Sequence, residues 1–142
     1  MSFGNRKILY DAIFVSIVSY CSAIYYPRLS QININKLLSL QRKILINVAS
    51  GYRTISFPAI FYITGEVPID IKIELINRTK TLRHSTSFHE HSKHEIENKI
   101  AELRAQAVER WQLTYENSTK GRLTNEIIPD VEITHKNKCI GI

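Results

Sequence analysis

The sequence predicts an all-α protein, a helical bundle of about five helices with the longest helix C-terminal and a polar linker before it. Two observations support this class. Apolar residues recur every three or four positions along most of the chain, and capping residues flank these segments. Alternation typical of a strand occurs only in "DVEITH" near the end, and 142 residues suffice for one domain with a core.

The first helix is predicted from Asn5, a capping residue, to about Tyr25, because Pro27 ends it. Its apolar residues cover most of the circumference, so the helix should be central in the core. These residues are Ile8, Leu9, Ala12, Ile13, Val15, Ile17, Tyr20 and Ile24. Residues 12–27 carry no charge, but they include serines and fall short of the ~20 residues of a membrane span, which favours a buried core helix.

The second helix is predicted from about Asn33 to Gly51, a residue that tolerates the left-handed conformation after a helix end. Its apolar side consists of Ile34, Leu37, Leu38, Leu45 and Val48. Its polar side consists of Lys36, Ser39, Lys43, Asn47 and Ser50. The helix is therefore amphipathic, and the charge on its polar side is positive.

Two shorter helices follow the loop "YRTIS". Ser56 caps the third helix, which has Pro58 in its first turn and ends at Gly65. Pro68 opens the fourth helix, which is predicted to run to about Arg83.

The longest helix follows the polar segment "HSTSFHEHSKH". Ser92 and Glu95 form a capping box at its start, and the helix is predicted to end at about Glu116. Trp111 and Tyr115 lie one turn apart on it, and core anchors are the preferred interpretation of this pair.

The excess positive charge belongs to the first of two predicted parts. Residues 1–86 form a helical region with a basic second helix, and residues 87–142 form a linker, a long helix and a frayed tail. No acid occurs between Asp11 and Glu66, whereas that interval contains Arg28, Lys36, Arg42, Lys43 and Arg53. From Glu66 onward, twelve acids balance twelve bases, so the net charge of +6 lies in the N-terminal half and favours a polyanionic partner.

The basic side of the second helix and the loop after it form the candidate nucleic-acid interface. Lys and Arg neutralise phosphates, and an aromatic side chain beside them can stack on a base or sugar. The candidate residues are Arg42, Lys43, Tyr52 and Arg53, with Lys36 and Arg28 as supporting charges. Two alternatives stay open: Arg42 as a buried structural arginine that caps a neighbouring helix, and a solvated basic face on a small protein-interaction module with no nucleic-acid role.

No motif predicts a catalytic or metal site, and no cofactor is expected in this chain. The histidines of the linker could bind zinc, but no cysteine lies nearby, and a solvated linker is favoured. They are His84, His89, His91 and His94. "STKGR" at 118–122 could hold a phosphate, although a solvated turn is favoured. Cys21 and Cys139 lie far apart, which fits a reducing, intracellular compartment, nuclear or cytoplasmic.

Three segments together carry a family resemblance. "QR", "GYRT" and the residues Ser56, Ala59, Gly65 and Pro68 resemble a block that follows the polymerase core in non-LTR (LINE-like) retrotransposon reverse transcriptases of arthropods. "ILYDAIFVSIVSYCSAIYY" is similar to the helix upstream of that block. Trp111, "STKGRLT" and "IIPDV" are similar to the segment that precedes a zinc knuckle in those polyproteins.

The resemblance implies a thumb and connector piece of such a polymerase, which packs on the template–primer duplex. The missing palm and fingers would be partners of this piece, and the parent enzyme would use Mg²⁺. The Tyr/Phe-x-Asp-Asp motif, whose aspartates hold the metal ions, does not occur in this sequence. The chain alone is therefore not expected to polymerise nucleotides.

Overall fold

The computed structural model describes residues 1–86, 93–118 and 126–127 of the chain, and these residues are all-α. No strand occurs within those ranges, which confirms the predicted fold class. The helices are α1 (Phe3–Leu9), α2 (Ser16–Ser19), α3 (Ser22–Tyr25), α4 (Gln31–Ala49), α5 (Phe57–Thr64), α6 (Ile69–Thr86) and α7 (Lys93–Glu116). The π-helical segment Tyr10–Val15 joins α1 to α2, and a 3₁₀ turn, Tyr26–Arg28, follows α3.

The prediction of one continuous first helix is wrong. Its chain path bends by 47° between Phe3–Ser19 and Ser22–Arg28. Cys21 causes the break, because its φ of 52° lies in the left-handed region, which a helix cannot pass through. The buried hydroxyl of Ser22 then donates to Asn77 Oδ1 of α6 at 2.6 Å, which anchors α3. The prediction of Asn5 as the N-cap is also wrong. Ser2 is the N-cap of α1, because its side-chain oxygen accepts a hydrogen bond from the backbone N–H of Asn5.

The expected central position of this first helical stretch, residues 3–28, is wrong as well. Only one stripe is buried, formed by Tyr10, Phe14 and Val18, which recur every four residues. The predicted core residues Ile8, Leu9, Ile13, Ile17, Tyr20 and Ile24 are between 44% and 78% exposed, and Ala12 is exposed as well. The reason is tertiary: α4 and α6 make the main contacts with this stretch, and its remaining sides are exposed to solvent.

The apolar composition of the same stretch bears on whether it could span a membrane. Among the described residues, no single helix combines the length and apolar composition that crossing a bilayer requires. The bent pair Phe3–Ser19 and Ser22–Arg28 meets those criteria only when its two segments are taken together.

The core lies where α4, α5, α6 and α7 meet. Leu45, Ile60 and Ile73 are completely buried there. Trp111 and Tyr115 belong to the same cluster, and the Tyr115 ring stacks on Tyr62 at 4.8 Å between centroids. The prediction that both aromatic residues of α7 are core anchors is confirmed. Whether residues 1–86 form a separate unit stays a prediction, although α7 shares its core with them.

A buried glutamine connects three elements of this core. Gln41 of α4 is completely buried, and its Nε2 donates to the hydroxyl of Tyr10 at 2.8 Å and to the Val67 carbonyl at 3.0 Å. Its Oε1 accepts from the backbone N–H of Ile69 at 2.8 Å. Gln41 therefore fixes both the first helical stretch and the connection between α5 and α6.

The helix ends follow the predicted positions with two differences. Gly65 ends α5 in the left-handed conformation, with φ 65°, as expected. After α4 it is Ser50, not Gly51, that adopts this conformation, with φ 52°. A Cβ at Gly51 would lie 2.6 Å from Ile55 Cδ1, so a larger residue there would require the end of the Ile55 side chain to move. Ser56 occupies the N-cap position of α5, but its side chain makes no capping hydrogen bond.

Candidate nucleic-acid interface

The loop of residues 51–56 is fixed onto α4 by one arginine. Nη2 of Arg42 donates to the carbonyl oxygens of Arg53 at 3.0 Å and Ile55 at 2.6 Å. The Arg42 side chain is half-buried, so these hydrogen bonds form partly out of water, where they are strong. This geometry favours the structural alternative for Arg42, with a loop rather than a helix end as the group that it holds.

Three of the predicted residues meet at one groove. Arg42, Lys43 and Arg53 line an open cavity of about 400 Å³, together with Ile46 and Asn47. Lys43 and Asn47 are exposed and one turn apart on α4, and the loop held by Arg42 brings Arg53 beside them. We refer to this cavity and its five lining residues as the basic groove. It presents the amide of Asn47, the guanidinium of Arg42 that fixes its wall, and two cationic side chains that no described carboxylate pairs with.

The other three predicted residues lie outside the basic groove. Tyr52 immediately precedes Arg53 and is 84% exposed, so its ring does not pack inside the protein. Lys36 is exposed two turns before Lys43 on the same side of α4, about 10 Å away along the helix axis. Arg28 is exposed in the 3₁₀ turn before α4. They extend the positive surface but do not line the cavity.

The two acids that bound the acid-free interval of the sequence, Asp11 and Glu66, are paired with lysines elsewhere. Glu66 is buried and pairs with Lys7 at 3.1 Å and Lys72 at 3.0 Å. Lys72 also pairs with Asp11 at 2.9 Å. Burial lowers the pKa of Lys72, but the carboxylates of Glu66 and Asp11 outweigh this effect and raise it above its usual value. This cluster leaves no carboxylate of its own for the groove.

The cations of the interface are therefore uncompensated. Within the described parts of the chain, no carboxylate forms an ion pair with Arg28, Lys36, Lys43 or Arg53. Positive groups that share a surface without carboxylates attract anions more strongly than groups dispersed among acids. The groove is thus suited to bind an anion such as a backbone phosphate.

One cation beside the groove was not predicted. Arg6 of α1 contacts the Ser50 hydroxyl through Nη1, and the same atom lies 3.5 Å from the carbonyl oxygen of Asn47. A guanidinium at the C-terminal end of α4 also suits the negative end of the helix dipole. Because 41 residues separate Arg6 from Asn47, no local pattern in the sequence indicates this contact.

The remaining candidate sites are only partly within the described residues. Among those residues, no group of three or more His, Cys, Asp or Glu side chains is placed to hold a metal ion. His84 and His94 are exposed, and His94 Nδ1 lies 3.0 Å from Asn98 Nδ2. His89, His91, Cys139 and the turn at 119–122 lie outside the described residues, as do Ser92 and "DVEITH".

Comparison with known proteins relates the chain to a retrotransposon. It is 24% identical over 146 aligned positions to a Drosophila melanogaster protein, "Putative 115 kDa protein in type-1 retrotransposable element R1DM". The alignment covers 96% of this chain but only 14% of that protein. No family model and no solved structure matches. The relationship to a retrotransposon protein is distant and extends along nearly the whole chain.

Proposed function

We propose that the chain is the thumb and connector part of a retrotransposon reverse transcriptase and that its basic groove binds the backbone of a template–primer nucleic acid. The observation that carries this proposal is the convergence of Arg42, Lys43 and Arg53 on one groove, where no carboxylate of the described residues pairs with them. The distant similarity to the R1 element protein supports the retrotransposon origin. The family resemblance of "GYRT" and its flanking residues supports the thumb assignment.

Each residue has a distinct part in this proposal. Lys43 and Arg53 neutralise phosphates, and the Asn47 amide adds a neutral hydrogen bond to phosphate or sugar. The exposed ring of Tyr52 stacks on a base or sugar at the edge of the groove. Arg42 acts as a positioning residue, because its hydrogen bonds hold the loop that carries Arg53. Phosphate, sugar and stacking contacts do not read the base edges, so binding is independent of base sequence.

The chain contributes binding rather than chemistry. Nucleotidyl transfer requires aspartates that hold two metal ions, and the Tyr/Phe-x-Asp-Asp motif is missing from this sequence. In the parent enzyme, the palm would supply these aspartates and the Mg²⁺ ions. RNA, DNA or an RNA–DNA hybrid fits the same basic groove, because all three present a phosphate chain.

The salt dependence of binding tests the proposal. Affinity for an RNA–DNA hybrid, measured by fluorescence anisotropy between 50 and 200 mM salt, should fall steeply because counterions are released from neutralised phosphates. Lys43→Ala with Arg53→Ala should weaken binding and lower the slope of log affinity against log salt by roughly 0.7 to 0.9 for each cation removed. An unchanged affinity or slope would contradict the proposal.

A matched control distinguishes binding at the basic groove from a general effect of the protein's net charge on affinity. Lys80 on α6 and Lys99 on α7 are exposed and lie outside the groove, so Lys80→Ala with Lys99→Ala removes the same charge elsewhere. This control should keep nearly all of the affinity and slope. An equal loss in both double variants would show non-specific attraction to a basic protein instead of a site.

A second function, that of a helical protein-interaction module, is supported by a different surface. Several large apolar side chains on the first helical stretch are exposed to solvent. Monomeric soluble proteins rarely expose a large contiguous apolar patch that has no role. This surface does not depend on the basic groove, so the two functions are compatible.

A further inference from the structure

The first helical stretch carries an exposed apolar face. Leu9, Ile13 and Ile17 recur every four residues, one position before the buried stripe and therefore about 100° from it around the helix. We define the apolar face as Ile8, Leu9, Ile13, Ile17, Tyr20 and Ile24, which are exposed by 65%, 44%, 56%, 69%, 78% and 69%. Ile24 adds an exposed apolar residue beyond the break at Cys21, and the exposure of all six side chains shows that the described part of the chain leaves them largely uncovered.

We propose that the apolar face binds a second copy of this chain to form a homodimer. Complete burial of the exposed fractions of these six residues would remove at most roughly 700 Å² per copy from water, close to the ~800 Å² that each partner buries in a stable interface. An antiparallel pairing about a two-fold axis is self-complementary. With Ile13 at the axis, Leu9 of each copy lies against Ile17 of the other.

The absence of charge on the apolar face is compatible with a second copy of this chain as its partner. Residues 12–27 carry no charge, so two such faces bring no like charges into direct contact. The ionic groups just before this interval are turned to internal partners: Lys7 pairs with Glu66, and Asp11 pairs with Lys72. A partner that relied on ion pairs would find no free charge along the face.

A lipid surface suits the face less well than a second copy. Helices that lie in a membrane interface carry cationic side chains on their polar border, which attract anionic headgroups. The two cations of α1 are both engaged within the protein, Arg6 at the end of α4 and Lys7 with Glu66. The face therefore lacks the free cations that interfacial binding uses at its N-terminal end.

Sedimentation equilibrium of the intact chain over about 1 to 200 µM tests the proposal. The expected result is a reversible equilibrium that ends at the dimer, because a two-fold contact closes with two copies. Ile13→Lys with Ile17→Lys should raise the dimer dissociation constant about a hundredfold or more, because each ammonium would be buried without a partner. Both positions are more than half exposed, so the far-UV circular dichroism of the double variant should match that of the unmodified protein.

The matched control is Ile32→Lys, which places the same charge at a 67% exposed isoleucine on α4, outside the face. It should leave dimerisation unchanged. A chain that stays monomeric at every concentration, an open-ended series of oligomers, or a dimer that the double variant does not weaken would each overturn the proposal. Monomeric protein that floats with vesicles of phosphatidylcholine and phosphatidylserine would also overturn it, in favour of lipid.

The exposed thiol of Cys21 gives a second readout, which does not depend on any charged variant. In a Cys139→Ser background, a bismaleimide whose spacer reaches about 24 Å should join two copies through Cys21, because the antiparallel pairing places the two thiols on opposite sides of Ile13, each eight residues from it at ~1.5 Å per residue. The covalent dimer should be abundant with the native face and scarce with Ile13→Lys and Ile17→Lys. Equal crosslinking in both would count against the proposal.

Discussion

The first helical stretch and α4 are similar in apolar content but differ in how the fold covers them. The apolar side of α4 packs into the core, and its opposite side presents Lys36, Lys43 and Asn47 to solvent. The first stretch buries one stripe and leaves a second apolar stripe exposed. The comparison shows that apolar periodicity identifies the residues that can be buried, whereas the number of neighbouring helices decides how many of them are buried.

The largest expected effect compares two adjacent residues of the first stretch. Phe14→Ala should lower the free energy of unfolding by about 3–5 kcal/mol, because the ring is only 8% exposed and its loss leaves a cavity. Ile13→Ala should change the monomer by less than about 0.5 kcal/mol, because Ile13 is 56% exposed. Urea denaturation at low protein concentration measures both. Equal losses would show that the stretch is buried on both sides, as the sequence suggested.

A smaller effect is expected from making α4 more apolar. Gln41→Leu should destabilise the protein by roughly 2–3 kcal/mol, because the buried N–H of Ile69 and the carbonyl of Val67 lose their partner. The control Gln31→Leu, in the exposed first turn of α4, should change stability by less than about 0.5 kcal/mol. Thermal unfolding distinguishes the two, and a stabilising Gln41→Leu would show that the hydrogen-bond network contributes little.

The smallest expected effect is a change of stability with pH. It depends on Tyr10 of the first helical stretch, whose hydroxyl is hydrogen-bonded to Gln41 of α4. Burial and the Glu66 carboxylate raise the pKa of Tyr10, against the lowering effect of the hydrogen bond from Gln41. Above about pH 10 the unfolded chain releases the phenol proton while the folded chain retains it, so stability falls by roughly 1.4 kcal/mol per pH unit from this group. Lys72 adds to the decline, because its raised pKa also makes the folded chain retain a proton.

Urea denaturation between pH 8 and 11 measures this decline. Tyr10→Phe removes the phenol, so its stability should fall less steeply above pH 10 than that of the unmodified protein. At pH 7 neither raised pKa contributes a slope, because both groups are protonated in the folded and the unfolded chain. A decline of equal steepness in Tyr10→Phe would show that other groups control the alkaline loss.

Much of the candidate site was predictable because its signals are local. Lys43 and Arg53 could be selected from an interval that contains no acid, and the structure brings them together with Arg42. The structural part of Arg42 was open as an alternative, and its two loop hydrogen bonds now favour it. Arg6 could not be found, since its position beside α4 depends on how two distant segments pack.

Gln41 is an intermediate case. It lies four residues after Leu37 and four before Leu45, so its position on the apolar side of α4 was readable from the spacing. A polar residue in that position indicates a buried hydrogen-bonding role. Its partners, however, come from the first stretch and from the connection before α6, and no spacing rule identifies them.

By itself, the sequence determined the helical class, the extents of α5 to α7 to within a few residues, and the segment in which positive charge is uncompensated. These features follow from interactions between residues close along the chain, such as side-chain spacing, caps and local charge. Only the tertiary structure decided the break at Cys21, the exposure of Ile13 and Ile17, and the occupation of Glu66 by two lysines. Each of these depends on contacts between distant segments, and such contacts exist only once the helices have packed.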